Sequence, residues 1–118
     1  MNIRFKNICV FNTKCWWLMI KAVMYHYVRR YSSELPYLKF LDEKDFIKQL
    51  DFFKKKYGFI KKQDWLDFVN NKNKKALKGI VLTFDDGLSC HFNHVYKILK
   101  KKKLWAIFYV PCQPYIYN

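Results

Sequence analysis

Arginine is scarce in this sequence of 118 residues: Arg4, Arg29 and Arg30 stand alone among 23 basic side chains, the other 20 being lysine. That scarcity weighs against a nucleic-acid binder, because the flat guanidinium fork is the group suited to two-pronged contacts with phosphates and base edges. The formal charge of +14 raises the question all the same. The lysines, however, fall in short runs such as Lys54-Lys55-Lys56 and Lys100 to Lys103, on expected helices or in loops, and read as a solvated surface. No specific nucleic acid is expected as a partner, and a basic nucleic-acid-binding protein is the least favoured of three functional readings.

Other absences narrow the field further. No apolar stretch reaches the ~18–20 residues a spanning helix needs, so no transmembrane segment is expected. The short apolar run Ile8-Cys9-Val10-Phe11 is broken by Asn12 and Lys14, with no small-residue cleavage site behind it. It does not form a signal-peptide core, which favours a cytoplasmic location. Cys9, Cys15, Cys90 and Cys112 form no CxxC pair and show no metal-ligand spacing. They read as free thiols in a reducing compartment. There is no internal repeat and no low-complexity segment.

What is present argues for a packed α/β domain. Apolar content of 52% and aromatic content of 20% can fill a core, and the length allows one domain at most. Residues 1–18 show no clear period and read as an N-terminal extension of uncertain status. The pattern begins after Met19, which stands beside Met1 as a candidate start. Ile20 to Val28 is β-rich and is expected to form a first strand, followed by a loop to Leu41. Asp42 is a suitable N-cap for a helix whose Phe46, Leu50, Phe53 and Tyr57 make an apolar stripe, ended by Gly58. A short extended piece, Phe59-Ile60, leads to a second helix over about Gln63–Asn70, with Trp65, Leu66 and Val69 facing inward. A polar turn, a buried strand at Ile80–Phe84, a helix at Leu88–Lys103 and a last strand at Leu104–Val110 complete the order. Such alternation implies a largely parallel sheet with right-handed crossovers. With no helix expected after the last strand, the architecture reads as unfinished.

The most informative segment is Gly79-Ile80-Val81-Leu82-Thr83-Phe84-Asp85-Asp86-Gly87. An uncharged strand running into two acids is awkward as core, since burying an unpaired charge is costly. In parallel α/β folds the carboxyl ends of strands are where ligands and catalytic groups collect. Neighbouring carboxylates on extended backbone point apart, so one can ligate a cation while the other handles a proton. An Asp-Asp-Gly turn with purely local hydrogen bonds is the structural alternative. His26, at the end of the first strand, is expected on the same rim as Asp85, as a substrate-side group or as a hydrogen-bonded strand histidine. His91 and His94 are expected on a helix running away from that rim, as surface or packing residues. Trp65 and Trp105 occupy core-type positions, and the tryptophans, with Trp16 and Trp17, read as packing rather than sugar-stacking groups.

Thr83-Phe84-Asp85-Asp86-Gly87 resembles the first motif of the polysaccharide deacetylase family, the NodB-homology domain of carbohydrate esterases. The flanks are similar to it as well: Met24-Tyr25-His26-Tyr27-Val28-Arg29, the helix from Phe46 to Phe53 with Tyr57-Gly58, and Tyr96–Lys100 followed by Leu104–Pro111. The resemblance covers about Met19 to Pro111 and implies that residues 19–118 are the N-terminal portion of a distorted (β/α) barrel, apparently truncated. It also implies a metal-dependent hydrolase of the carbon–nitrogen amide bonds of N-acetylated oligo- or polysaccharides, with zinc as the metal. By the same pattern Asp85 matches the catalytic base and Asp86 the metal-binding aspartate, with Thr83, Phe84 and Gly87 as motif support. The family's His-Ser/Thr-x-x-His motif, which completes its metal site, is not in this sequence, nor are the later motifs with an arginine and an acid histidine. The site is therefore expected to be incomplete in this chain and the chain inactive or poorly active alone, with a companion chain as a source of the missing motifs. The alternative is a non-catalytic sugar-binding or interaction remnant of the same fold.

Overall fold

In the computed structural model, which describes residues 5–7, 20–72 and 76–116, the elements in chain order are β1 (Phe5–Asn7), β2 (Ile20–Tyr25), β3 (Val28–Arg29), β4 (Leu41–Asp42), α1 (Glu43–Lys56), α2 (Lys62–Val69), β5 (Gly79–Phe84), a π-helical turn (His91–Tyr96) leading into α3 (Lys97–Lys102), β6 (Ile107–Phe108) and α4 (Gln113–Ile116). Four strands form one sheet in the order β1-β2-β5-β6, and β3 with β4 forms a small second one. The pairs β2–β5 and β5–β6 are parallel and β1–β2 is antiparallel. The α/β class read from the sequence is what the chain adopts. Cys9, Cys15, Trp16, Trp17 and the last part of the polar turn lie outside the described residues.

The first helix follows its sequence signals closely. Asp42 accepts a hydrogen bond from the Lys44 amide at 2.8 Å, and Glu43 and Asp45 place negative charge on the first turn. Phe46, Leu50 and Phe53 are buried. Gly58, at φ +72°, lets the chain turn away while its amide donates to the Phe53 carbonyl.

The sheet separates two cores by strand alternation. Val23, Tyr25, Leu82 and Phe84 pack with Phe46, Leu50, Phe53, Val95 and Leu99 on one side. Ile20 and Val81 pack with Ile60 and Leu77 on the other, where Trp65, Phe68, Trp105 and Ile107 cover them. Trp105 also donates its indole N–H to the Ile60 carbonyl at 2.6 Å.

Five expectations are corrected. The strand expected over Ile20–Val28 ends at Tyr25; the backbone bends at His26, and Val28–Arg29 pairs with Leu41–Asp42 in the second sheet. The last strand shortens from Leu104–Val110 to two residues, because only Ile107 and Phe108 have ladder partners, Thr83 and Phe84. Its first residues are drawn instead into the core through Trp105. Leu66 and Val69 are exposed, the bulkier Trp65 and Phe68 having taken the inward face of α2. The helix after the acidic motif begins with a π-helical turn, an irregularity common near functional sites. Finally, a short helix, α4, follows the last strand. Apart from these five, Phe5–Asn7, inside the stretch read as an extension of uncertain status, pairs antiparallel with β2.

Candidate functional site

Because β2, β5 and β6 run parallel, their carboxyl ends meet at one rim. The Asp85 amide donates to the Tyr25 carbonyl at 3.0 Å and the Tyr109 amide to the Phe84 carbonyl at 2.8 Å, so the three chain ends are tied side by side. Above them opens a cleft of about 550 Å³ whose lining includes Met24, Thr83, Asp85, Asp86, Tyr109 and Pro111. Met24 and Thr83 are register partners on β2 and β5, and Thr83 also faces Ile107 of β6.

The candidate residues separate into different environments. Thr83 is buried in the cleft wall, and Phe84 points into the core between Tyr25 and Phe108, with ring centroids 5.3 and 5.0 Å away. Asp85 is half-buried, whereas Asp86 is exposed. Asp86 does not continue the extended backbone expected from the sequence. It sits at φ +77°, followed by Gly87 at φ +58°. Left-handed backbone costs most non-glycine residues of order 1–2 kcal/mol, and aspartate up to about 1 kcal/mol because its short polar side chain can bond locally. Gly87 is hemmed in as well: a Cβ there would lie 3.1 Å from Cγ1 of Val110.

The turn brings Asp86 to His26, whose Nε2 is 3.7 Å from Oδ2 of Asp86. His91, expected to lead away from the rim, instead supports it from below. The helix starts so soon after Gly87 that its first turn is still beneath the carboxyl ends, and His91 Nε2 donates to the His26 carbonyl at 2.6 Å. The ring is buried against Phe84 and Phe108, and its Nδ1 has no hydrogen-bond partner among the described residues. His94 pairs with Glu43, which also holds Arg30 at 2.6 Å. Burial opposes ionisation of Glu43, but the hydrogen bonds and charges of Arg30 and His94 outweigh it and hold the carboxyl below its ordinary range. Beneath the rim, burial pushes the Tyr25 phenol above its ordinary range, and its O–H donates to Gln49 at 2.9 Å.

Sequence reasoning did not single out Met24, Tyr109 and Pro111. Their signal was positional: each lies near the carboxyl end of a strand parallel to β5. For a metal, Asp86 and His26 supply two neighbouring donors. Among the described residues no group of three or more His, Cys, Asp or Glu side chains could hold a metal ion. A catalytic zinc takes three protein ligands, so the described residues do not by themselves fit one.

A family model for polysaccharide deacetylase matches residues 72–115, a span that includes both aspartates. Similar solved structures include the following three. IcaB from Ammonifex degensii is 26% identical with a TM-score of 0.61, over 77% of this chain and 37% of that one. The Streptococcus pyogenes deacetylase PplD, solved in complex with acetate, is 29% identical with a TM-score of 0.59, over 75% and 41%. A de-N-acetylase from Aggregatibacter actinomycetemcomitans is 28% identical with a TM-score of 0.61, over 75% and 36%. A search of curated proteins returns no match. The chain thus resembles polysaccharide deacetylases and spans well under half the length of each of these structures.

Proposed function

We propose, from that resemblance, that this chain carries the catalytic rim of a polysaccharide deacetylase-like hydrolase acting on the acetamide groups of N-acetylated sugars. The observation that carries the reading is the placement of Asp85 and Asp86 at the carboxyl end of a parallel sheet, beside an open cleft and inside the segment matched by the family model. Asp85, half-buried in the cleft wall, takes the proton of the water that attacks the acetamide carbonyl. Asp86 offers one carboxylate to a divalent cation, for which zinc is the metal the family resemblance implies. A cation of this kind supplies Lewis acidity and brings the pKa of water toward ~7. The donors needed to complete its coordination come from outside the described residues, on further polypeptide or a companion chain. This chain alone is therefore expected to be inactive or poorly active. Release of acetate from N-acetylglucosamine oligomers, measured with and without added zinc, tests the proposal. Metal-dependent release by the isolated chain, abolished in Asp85→Asn, would establish the chemistry and overturn the expected inactivity.

A second reading, a sugar-binding fold without catalysis, is favoured by the lack of a three-donor cluster among the described residues. Calorimetric titration with zinc separates the two. Oligosaccharide binding that is indifferent to zinc, with no heat of zinc binding either by the chain alone or together with any companion chain, would support the remnant.

A further inference from the structure

At the end of the sheet opposite the carboxylates lies a pocket of about 250 Å³, lined by Lys21, Lys56, Tyr57, Lys78 and Gly79. Three separate parts of the chain build it. Lys21 comes from the start of β2, Lys56 and Tyr57 from the end of α1 and its cap, and Lys78-Gly79 from the entry to β5. Parallel pairing of Ile20 with Gly79 and Lys21 with Ile80 holds the two strand ends together. Gly79 keeps one wall as bare backbone: it sits at φ +138°, and a Cβ there would lie 3.1 Å from the Gly58 carbonyl oxygen.

The charges in this pocket are unbalanced. Lys21 Nζ is 4.6 Å and Lys56 Nζ 5.3 Å from the centroid of the same Tyr57 ring. Two ammoniums gathered on one ring repel each other, and the ring quadrupole offsets only part of that. Three basic groups elsewhere have carboxylate partners, Arg30 with Glu43, Lys48 with Asp45 and Lys102 with Asp51. All nine acidic residues lie between Glu34 and Asp86, within the described residues, and none lines this pocket. The dipole of α1 accounts for Lys56, which ends the helix with Lys54 and Lys55. It does not account for Lys21 or Lys78, which stand on strand ends.

We propose that this pocket binds a phosphate-class oxyanion. A phosphate group carries about −1.5 to −2 charge and three acceptor oxygens, which suits the two ammonium groups held at the Tyr57 ring, with Lys78 as a further basic lining residue. The assignment is independent of the deacetylase reading, since no residue of the carboxylate rim takes part.

The test is calorimetric titration of the full chain at about 0.15 M salt, where the Debye length is ~8 Å and diffuse attraction is screened. The probes are inorganic phosphate and, separately, vesicles of phosphatidic acid or of phosphatidylcholine. Saturable binding of phosphate is expected, weakened by about tenfold or more in Lys21→Gln/Lys78→Gln and retained in Lys54→Gln/Lys101→Gln, which loses the same charge elsewhere. Binding of phosphatidic acid vesicles without binding of free phosphate would make a lipid headgroup the source; binding of both would make it phosphate itself. Circular dichroism checks that the variants fold, and perturbation of the Lys21 and Lys78 amide resonances by phosphate locates binding in wild-type protein. Equal weakening in both double variants, no saturation, or binding confined to duplex or single-stranded DNA would each overturn the proposal in favour of a diffuse lysine-rich surface.

Discussion

His26 Nε2 stands 3.7 Å from Asp86 Oδ2, with the two side chains 46% and 58% exposed. An ion pair that open to water contributes ~0–1 kcal/mol, so its value to the fold is small. His26→Gln is expected to change the free energy of unfolding by less than about 1 kcal/mol in urea melts. If Asp86 offers its carboxylate to a cation, zinc affinity of the assembled site should fall in the same variant, since the second donor beside Asp86 is gone.

The turn that aims Asp86 carries a conformational cost, and two substitutions read it in opposite directions. Gly87→Ala places a Cβ 3.1 Å from Val110 at φ +58° and is expected to destabilise the fold by about 1–2 kcal/mol. Asp86→Gly removes the side chain from φ +77° and is expected to recover up to about 1 kcal/mol while deleting the carboxylate. Thermal melts of both variants beside wild type measure the strain.

The pH dependence of stability should carry the mark of Glu43. Its carboxyl is held below its ordinary range in the folded chain by Arg30 and His94 against the cost of burial. The contribution is therefore fully present above the unfolded-state pKa of ~4.3 and is lost as pH falls through the lower folded value. Urea midpoints followed downward from pH 6 should fall more steeply for wild type than for Glu43→Gln.

Phe84 is fully buried and packs on Tyr25, Phe46, Phe108 and His91. Phe84→Ala should cost about 3–5 kcal/mol, a large share of the ~5–15 kcal/mol that stabilises a typical domain. Chemical denaturation measures it. A loss below ~1 kcal/mol would mean that the neighbouring rings collapse into the space.

Much of this structure was legible because its signals are local. The Asp42 cap, the Phe46-Leu50-Phe53 stripe and the Gly58 stop define α1 from side-chain chemistry within a few residues of each boundary. The uncharged run ending at Phe84 likewise reads as a buried strand without reference to its neighbours. What escaped depends on partners distant in sequence. The length of β6 is set by which residues find a ladder partner on β5, and the inward face of α2 by how Trp65 and Phe68 fill the second core. His91 was expected to lead away from the rim because helical direction is readable but the depth of its first turn under His26 is not. The adjacency of Asp85 and Asp86 was evident, whereas the left-handed turn that parts their environments needed the fold.

The central ladder joins Tyr25 directly to Phe84, with both α1 and α2 lying between them in sequence. Such a pairing closes a long loop before it gains any contact energy, and parallel ladders of this kind form slowly. The amphipathic stripe of α1 can gather early through its local contacts, but the rim cannot exist until the two strands meet. Asp85 and His26 thus become neighbours only when this non-local pairing is complete, and a chain arrested before that step would have no site at all.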